Sequence, residues 1–280
     1  IAFADKASKY LPALAGSSFD NITLLDLATF TAGGLPLQFP GGVTDRDKMI
    51  AYFRTWRPVH PPGAYRLYSN PSIGLFGDLA ARSMGKSFDE LMAGDIFPAL
   101  GLANTFVRVP KSRMRDYAVG YWKGDKPIRV APGMFDSEAY GVKTSASDSI
   151  RFVQANVAGL HLDKTMQDAV AATHTGYYTV EHMTQGLAWE MYDYPTDLQQ
   201  LLAGNTAAMA FDTHKVRRLV PPRAPRPETL INKTGSTNGF GAYVAFIPAR
   251  RIGIAILANR NFPIPARVEA AYRILTALKT

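Results

Sequence analysis

The residues with the clearest chemical potential are a lysine and its hydroxyl neighbours in a glycine-rich run. Residues 232–241 read NKTGSTNGFG, and the apolar run YVAFI follows closely. Such a lysine could hold a phosphate or a carboxylate. A phosphate-binding P-loop places its glycines before the lysine and opens a helix, whereas here the order is reversed. A dinucleotide-binding loop needs a third glycine and a following helix. A phosphate site is therefore not favoured.

A strand through this run would allow a different ligand. Residues two apart on a strand face the same side, so Lys233 and Gly235 would share a face. The glycine leaves room for a ligand backbone, and the lysine supplies a positive charge beside it. This pattern suits a ligand that carries a carboxylate or resembles a peptide. A lysine at a strand end with a glycine at a bulge is an equally open interpretation.

A second candidate lies in RLYSNPS, residues 66–72. The residue before a proline is usually extended, so Tyr68 and Asn70 should project to one side. A tyrosine has an unperturbed pKa of about 10, and it becomes a base near neutral pH only where cations favour the phenolate. Lys233 is the candidate cation. Taken alone, a tyrosine and an asparagine before a helix more often serve capping and packing.

The elements that must position these residues are helices in the first half and strands near the end. Capping-box patterns at Thr23 with Asp26 and at Ser87 with Glu90 predict two helix starts. The periodicity predicts further helices over 45–56, 72–84 and 149–157, strands over 229–233, 241–249 and 251–259, and a final helix from Pro265. The pattern indicates an α+β or mixed α/β domain with a helical partner.

Composition excludes several function classes. The 280 residues contain no cysteine, which excludes disulfides and thiolate metal sites. The histidines form no H-E-x-x-H pattern, so a zinc hydrolase is not indicated. The formal charge is +8, but the basic residues are scattered apart from residues 215–227, which we predict to be a solvated loop. No stretch approaches the roughly 18 apolar residues of a membrane span. Glu190 is expected at a solvated or pocket-rim position.

Taken together, Tyr-x-Asn and a later Lys-Thr-Gly resemble the second and third motifs of serine β-lactamases and penicillin-binding enzymes. More narrowly, the chain resembles the class C β-lactamases, or cephalosporinases, over essentially its whole length. The stretches that carry the resemblance are LLDLATFTAGGLPLQFP, RLYSNPSIGLFG, EAYGVKTSASD, MTQGLAWEMYDYP, NKTGSTNGFGAYVAFIP and ILANRNFP.

The resemblance implies an α/β fold of the β-lactamase/D,D-peptidase type. An antiparallel sheet flanked by helices would join a mainly helical domain, with the sheet incomplete at its N-terminal strands. Residues 1–145 would form the mainly helical domain with the Tyr-x-Asn motif. Residues 146–280 would form the remainder of the α/β domain, with the Lys-Thr-Gly strand and the C-terminal helix.

The resemblance also implies site residues. Tyr68 and Lys233 would be catalytic and organise proton transfer. The backbone N–H of Ser236 would supply half of an oxyanion hole. Ile264 stands where many relatives have a second carboxylate-binding asparagine. The other residues implied at the substrate are Gln38 and Asn70 at its side-chain amide, Tyr140 on the pocket wall, and Thr234, Gly235, Asn261 and Arg267 near its carboxylate.

Enzymes of this kind attack with the serine of a Ser-x-x-Lys motif at the start of a buried helix, upstream of Tyr-x-Asn. The Ser-x-x-Lys pattern in this chain runs from Ser83 to Lys86. It follows Tyr68, lies at a predicted helix end and contains a glycine, so we interpret Ser83 as structural. We therefore expect the nucleophile upstream of Ile1.

The implied activity is hydrolysis of β-lactam antibiotics, of the cephalosporinase type, through a serine acyl-enzyme. The resemblance implies no metal or organic cofactor, a small-molecule β-lactam as the binding partner, and neither nucleic acid nor membrane insertion. It further implies a monomer in the bacterial periplasm. Two alternatives stay open: a D,D-peptidase or esterase of the same fold, and a non-catalytic fragment that binds a β-lactam or peptide.

The 280-residue chain by itself is expected to be poorly stable and inactive on cephalosporins. The reasons are the lack of a Ser-x-x-Lys before Tyr68 and the apolar sheet surface that upstream strands would cover. Cephalosporin turnover by the purified chain checks this expectation. Turnover that Ser83→Ala abolishes would contradict it.

Overall fold

A computed structural model describes residues 1–278 of the protein. The first half is mainly helical, with short irregular connections. Its helices are α1 (Ala7–Tyr10), α2 (Leu24–Ala28), α3 (Arg46–Thr55), α4 (Asn70–Ser83), α5 (Phe88–Leu91), α6 (Phe97–Ala99) and α7 (Asp136–Ala139). Those of the second half are α8 (Ala146–Asn156), α9 (Lys164–Thr173), α10 (Leu198–Ala203), α11 (Ala207–Phe211) and α12 (Ile264–Ala277). A π-helical turn, Met92–Ile96, joins α5 to α6. The 3₁₀ turns are Pro12–Leu14, Ser18–Asp20, Lys111–Arg113, Lys123–Asp125 and Pro248–Arg250.

The strands are concentrated in the second half. They are β1 (Tyr65–Arg66), β2 (Gly120–Trp122), β3 (Lys126–Ile128), β4 (Gly176–Val180), β5 (Met183–Gln185), β6 (Glu190–Asp193), β7 (His214–Lys215), β8 (Arg217–Arg223), β9 (Thr229–Thr237), β10 (Phe240–Ile247) and β11 (Ile252–Ala258). Within residues 1–278, seven of them form one antiparallel sheet in the order β11-β10-β9-β6-β5-β4-β8. The pairs β1–β7 and β2–β3 form two small sheets.

Local capping chemistry fixes the helix starts that the sequence predicts. The hydroxyl of Thr23 accepts from the N–H of Asp26 at 3.1 Å, and the Asp26 carboxylate accepts from the N–H of Thr23 at 2.9 Å. The same reciprocal pair forms at Ser87 and Glu90. The capping-box predictions are therefore confirmed.

The three predicted late strands are also confirmed, as β9, β10 and β11. β9 continues beyond the predicted end to Thr237, so the glycine-rich run is part of a strand. Alternation along β9 places Leu230 in the apolar cluster with α12 and Ile231 in the cluster with α8. The sheet is thus covered by a helix on each face at this strand.

The predicted solvent exposure of residues 215–227 is confirmed, but the prediction of a loop is wrong, because part of the segment forms β8. β8 pairs with β4 and forms the edge of the sheet. An edge strand tolerates prolines because one of its sides makes no ladder bonds, and Pro221 and Pro222 lie between Arg218 and Arg223, the residues of β8 that pair with β4. Strands β4, β5 and β6 have no alternating polar pattern, because nearly all of their residues are buried, and periodicity alone could not identify them.

Helix α8 packs against both halves of the molecule. Its Val153 belongs to the cluster beneath β9 and β10, whereas its Ala155 packs with Phe97 and Leu102 of the first half. A side chain at Gly253 of β11 would overlap Val153, so the glycine permits the close approach of α8. The division into domains at residues 145 and 146 stays a prediction. No helix among the described residues is long and apolar enough to cross a membrane.

A buried histidine should make stability depend on pH. His174 lies against Phe246, and its Nε2–H donates to Asn156 Oδ1 at 2.9 Å. Burial lowers the pKa of His174 to about 4. The unfolded chain, with a pKa of about 6.5, therefore binds a proton at pH values where the folded chain does not. This contribution is fully present above pH 6.5 and is lost as the pH falls towards 4.

We expect the loss to reach about 3 kcal/mol of unfolding free energy. Denaturant unfolding between pH 7 and pH 4 measures it, and His174→Gln should flatten the pH dependence. His182→Gln, at an exposed position, is the matched control and should leave the slope unchanged. An equally steep slope in His174→Gln would contradict the assignment.

Candidate active site

A large cavity lies between the helical half and the end of the main sheet. Its volume is about 1620 Å³. Residues from the loop before α4, from α7 and α11, from β9, and from the segment after β11 line it. Nine of the ten predicted site residues lie on its wall: Gln38, Tyr68, Asn70, Tyr140, Lys233, Thr234, Gly235, Ser236 and Asn261.

Strand β9 presents an unpaired edge to this cavity. β10 pairs with β9 as far as Thr237. On the opposite side β6 pairs only with Thr229 to Asn232, and the part of the chain that the structure describes adds no further ladder partner there. The backbone groups of residues 233–237 that point away from β10 therefore lie on a strand edge of the kind that binds extended ligands by strand addition.

Lys233 and Tyr68 are brought into contact at this edge. Lys233 Nζ lies 4.7 Å from the centroid of the Tyr68 ring and donates to the carbonyl of Thr234 at 3.2 Å. Burial acts to lower the pKa of Lys233, but the charges of Glu190 and Tyr68 outweigh it and the pKa is raised. The ammonium group therefore keeps its charge near neutral pH.

The loop before α4 places Asn70 beside Gln38. The hydroxyl of Ser69 caps α4 and donates to the carbonyl of Pro36 at 2.7 Å. The N–H of Asn70 donates to the carbonyl of Leu37 at 3.0 Å. These bonds fasten the segment that carries Gln38 to the start of α4, so both amide side chains reach the cavity.

Tyr140 and Asn261 complete the wall on either side. Burial raises the pKa of Tyr140, so its phenol stays protonated at neutral pH. Asn261 follows β11 in a loop fastened to β2, because Asn259 Nδ2 donates to the carbonyl of Val119 at 3.2 Å. The loop is also held by an ion pair of 2.6 Å between Arg260 and Asp125.

Comparison with known proteins identifies the family. The Beta-lactamase family profile matches residues 1–279. A Beta-lactamase of Pseudomonas fluorescens is 56% identical over 275 residues, which are 98% of this chain and 77% of that protein. The chain belongs to the β-lactamase family.

Solved structures agree with this assignment. A class C β-lactamase in complex with cefoxitin has a TM-score of 0.96 at 43% identity, covering 99% of this chain and 77% of that one. A Beta-Lactamase/D-Alanine Carboxypeptidase from Pseudomonas syringae has a TM-score of 0.97 at 47% identity, covering 100% and 78%. The α/β fold of the β-lactamase/D,D-peptidase type is therefore confirmed.

Arg267 is the exception among the predicted site residues. The resemblance implies that Arg267 contacts the substrate directly. In the structure it is fully buried and is not among the residues that line the cavity. Its guanidinium donates to the carbonyls of Gly235 at 2.6 Å and Ala242 at 2.7 Å, and to Ser236 Oγ at 2.8 Å. A Cβ at Gly241 would lie 3.0 Å from the guanidinium, so the glycine provides its space. Arg267 thus supports β9 from beneath.

Two charged residues at the cavity, Arg66 and Glu190, differ from the sequence prediction. Arg66 was not predicted at the site, and Glu190 was not predicted to be buried. Glu190 was expected at a solvated or pocket-rim position. It does line the cavity, but its side chain is only 6% exposed and pairs with Arg66 at 3.1 Å. Arg66 lies two residues before Tyr68 on extended chain, a spacing that could have placed it on the same side. Glu190 is distant in sequence from the other residues of the site. It is brought there by the pairing of β6 with β9, which places it opposite Asn232.

Ser83 lies where the sequence analysis expects a structural serine. It is exposed at the end of α4, and its hydroxyl donates to the carbonyl of Ala80 at 2.7 Å. It is not among the residues that line the cavity. Within residues 1–278 no group of three or more histidine, cysteine or acidic side chains is placed to hold a metal ion.

Arg267→Met should destabilise the folded protein, because Arg267 supports the end of β9. The substitution keeps much of the apolar stem but removes charged hydrogen bonds to two carbonyls and a hydroxyl, so we expect a loss of about 3 kcal/mol in unfolding free energy. Urea unfolding measures it. Arg273→Met on the same helix is the control, because its pair with Glu269 is exposed and should contribute less than about 1 kcal/mol. Equal losses in the two variants would contradict the support assigned to Arg267.

Proposed function

We propose that the chain carries the substrate-binding part of a class C serine β-lactamase that hydrolyses β-lactam antibiotics, cephalosporins among them. The observation that carries this proposal is the contact between Lys233 and Tyr68 beside the unpaired edge of β9. A β-lactam bears a carboxylate and an amide, and the site offers a cation and an open strand edge to receive them.

In the proposed reaction a serine hydroxyl attacks the lactam carbonyl. Its proton passes to the Tyr68 oxygen, and the same proton is then delivered to the lactam nitrogen as the C–N bond breaks. The ammonium of Lys233 stabilises negative charge on the Tyr68 oxygen. The backbone N–H of Ser236 would hold the carbonyl oxygen as it becomes negative. Water then hydrolyses the acyl-enzyme and releases the opened product.

The remaining substrate contacts that we propose are those that the family resemblance implies. Asn70 and Gln38 would bind the side-chain amide of the antibiotic, and Tyr140 would pack against it. Thr234, Gly235 and Asn261 would receive the carboxylate, while Arg267 would act through the strand that it supports.

We propose that the nucleophile is a serine of a segment that lies outside residues 1–280 and precedes Tyr-x-Asn. The supporting observation is that Ser83, the serine of the Ser-x-x-Lys pattern in this chain, lies away from the cavity. A periplasmic, monomeric cephalosporinase that confers antibiotic resistance remains our expectation.

A D-alanine carboxypeptidase is the second candidate function. Two solved structures at 47% and 49% identity are named for that activity, one of them AmpC from Burkholderia cenocepacia. The open edge of β9 would also suit a peptide substrate. Rates on a cephalosporin and on a peptide ending in D-Ala-D-Ala decide between the two.

Tyr68→Phe should lower kcat/KM for cephalosporin hydrolysis by about 10²–10⁴-fold, because it removes the oxygen that carries the proton. The protein produced from its complete coding sequence is the material, and spectrophotometric loss of the β-lactam ring is the measurement. Tyr272→Phe is the control, since this phenol donates to the carbonyl of Thr196 away from the cavity. Unchanged turnover in Tyr68→Phe would exclude the proposed proton transfer, and inactivity of the unsubstituted protein would exclude the function.

A further inference from the structure

We propose that Glu190 is a positioning residue that holds Lys233 beside Tyr68, and that Arg66 in turn holds Glu190. This inference rests on the proposed function and adds the buried support behind its two catalytic residues. Glu190 does not contact the substrate in this assignment. It acts through the ammonium group of Lys233.

The carboxylate of Glu190 lies between two cations. Its Oε1 accepts from Arg66 at 3.1 Å and lies 3.6 Å from Lys233 Nζ. The side chains of Glu190 and Arg66 are 6% and 1% exposed, and that of Lys233 is 24% exposed. A single oxygen therefore connects a deeply buried arginine to a lysine at the cavity wall.

Strand pairing fixes this carboxylate next to the lysine. Glu190 lies opposite Asn232, the residue before Lys233. The side chain of Asn232 donates to the carbonyl of Glu190 at 2.9 Å, which ties the two strands together at that point. The lysine thus emerges from β9 one residue after the last pair with β6.

Arg66 is held more firmly than an ordinary ion-pair partner. Its guanidinium donates to Gln185 Oε1 at 2.7 Å and to the carbonyl of Met209 at 2.7 Å, besides Glu190. Gln185 is itself fixed, because its amide donates to the carbonyls of Gly186 and Trp189. Bonds of this kind restrict the arginine to one orientation, so the Glu190 carboxylate is restricted as well.

The charges sum to one excess positive charge beside Tyr68. Arg66 lies 5.9 Å and Lys233 4.7 Å from the Tyr68 ring centroid, and Glu190 neutralises one of the two cations. Without the carboxylate, two cations would face each other in a poorly solvated site. Lys233 would then lose its proton more easily or turn away from Arg66.

The direction of the pH effect follows from the groups that face Lys233, namely Glu190, Tyr68 and Arg66. Glu190 and Tyr68 raise the pKa of Lys233, whereas burial and Arg66 lower it. Removal of the Glu190 charge therefore lowers that pKa. Lysine deprotonation moves to lower pH, and the alkaline limb of activity moves with it.

The test compares Glu190→Gln and Glu190→Asp with Glu181→Gln in the protein produced from its complete coding sequence. Glu181 is an exposed glutamate on the turn after β4, and its partner is His214. We expect Glu190→Gln to lower kcat for a cephalosporin by about 100-fold, with a smaller change in KM, because the lysine is displaced rather than the substrate. Its alkaline limb should move to lower pH. Glu190→Asp should recover part of kcat, and Glu181→Gln should match the unsubstituted protein.

A second readout does not require turnover. The ¹⁵Nζ resonance of Lys233, assigned with Lys233→Arg, should titrate at lower pH in Glu190→Gln than in the unsubstituted protein. If Glu190→Gln fails to fold, the double variant Arg66→Gln/Glu190→Gln removes both buried charges. Its Lys233 titration should also move to lower pH, but by less, because the loss of Arg66 removes a charge that lowers the pKa of Lys233.

The outcomes separate the inference from the proposed function. An unsubstituted protein that leaves β-lactams intact excludes the function, while the Lys233 titration still tests Glu190. A folded Glu190→Gln with the kcat, pH profile and Lys233 titration of the unsubstituted protein overturns the positioning assignment. A fall in kcat with an unchanged pH profile and titration also overturns it, because a purely structural loss would give that result.

Discussion

The ion pair between Arg66 and Glu190 is the interaction on which the site depends. The two residues are 124 positions apart, one on β1 in the helical half and the other on β6 in the sheet. Removal of Glu190 would leave Arg66 as an uncompensated charge in the interior, which is far more costly than losing a surface pair. The halves of the molecule therefore meet in one arrangement, and the cavity lies where they meet.

β9 changes its structural role along its length. Its first residues are paired on both sides and belong to the core, whereas residues 233–237 are paired with β10 alone. A strand end with one neighbour would ordinarily be less well fixed. Arg267 compensates, because it donates to the carbonyls of Gly235 and Ala242 across the β9–β10 pair. The strand is consequently rigid at the residues whose backbone faces the cavity.

The features that sequence could predict depend on neighbours along the chain. Capping at Thr23 and Ser87 needs residues three apart, and the alternation of β10 is visible within eight residues. The cavity residues followed from short motifs whose resemblance to a family supplied the long-range information. Tyr68 and Lys233 could not have been brought together by spacing alone.

What could not be predicted depends on pairing between distant segments. Glu190 reads as an ordinary surface glutamate until β6 is placed against β9. From sequence, Arg267 is expected to be a substrate-binding cation. Once α12 is packed against β9, its guanidinium donates to backbone carbonyls instead. Strands β4 to β6 lack a solvent face, so their sequences carry no period of two.

The proline-containing strand at the far edge also has a consequence for association. An exposed sheet edge is a template on which a second chain can add a strand, and uncapped edges promote fibrous aggregation. Pro221 and Pro222 remove two N–H donors from β8, and Arg217 and Arg218 place exposed positive charge beside them. A second copy approaching this edge would meet a missing donor and like charges. The edge at β8 is therefore a poor template for the addition of a strand from a second copy.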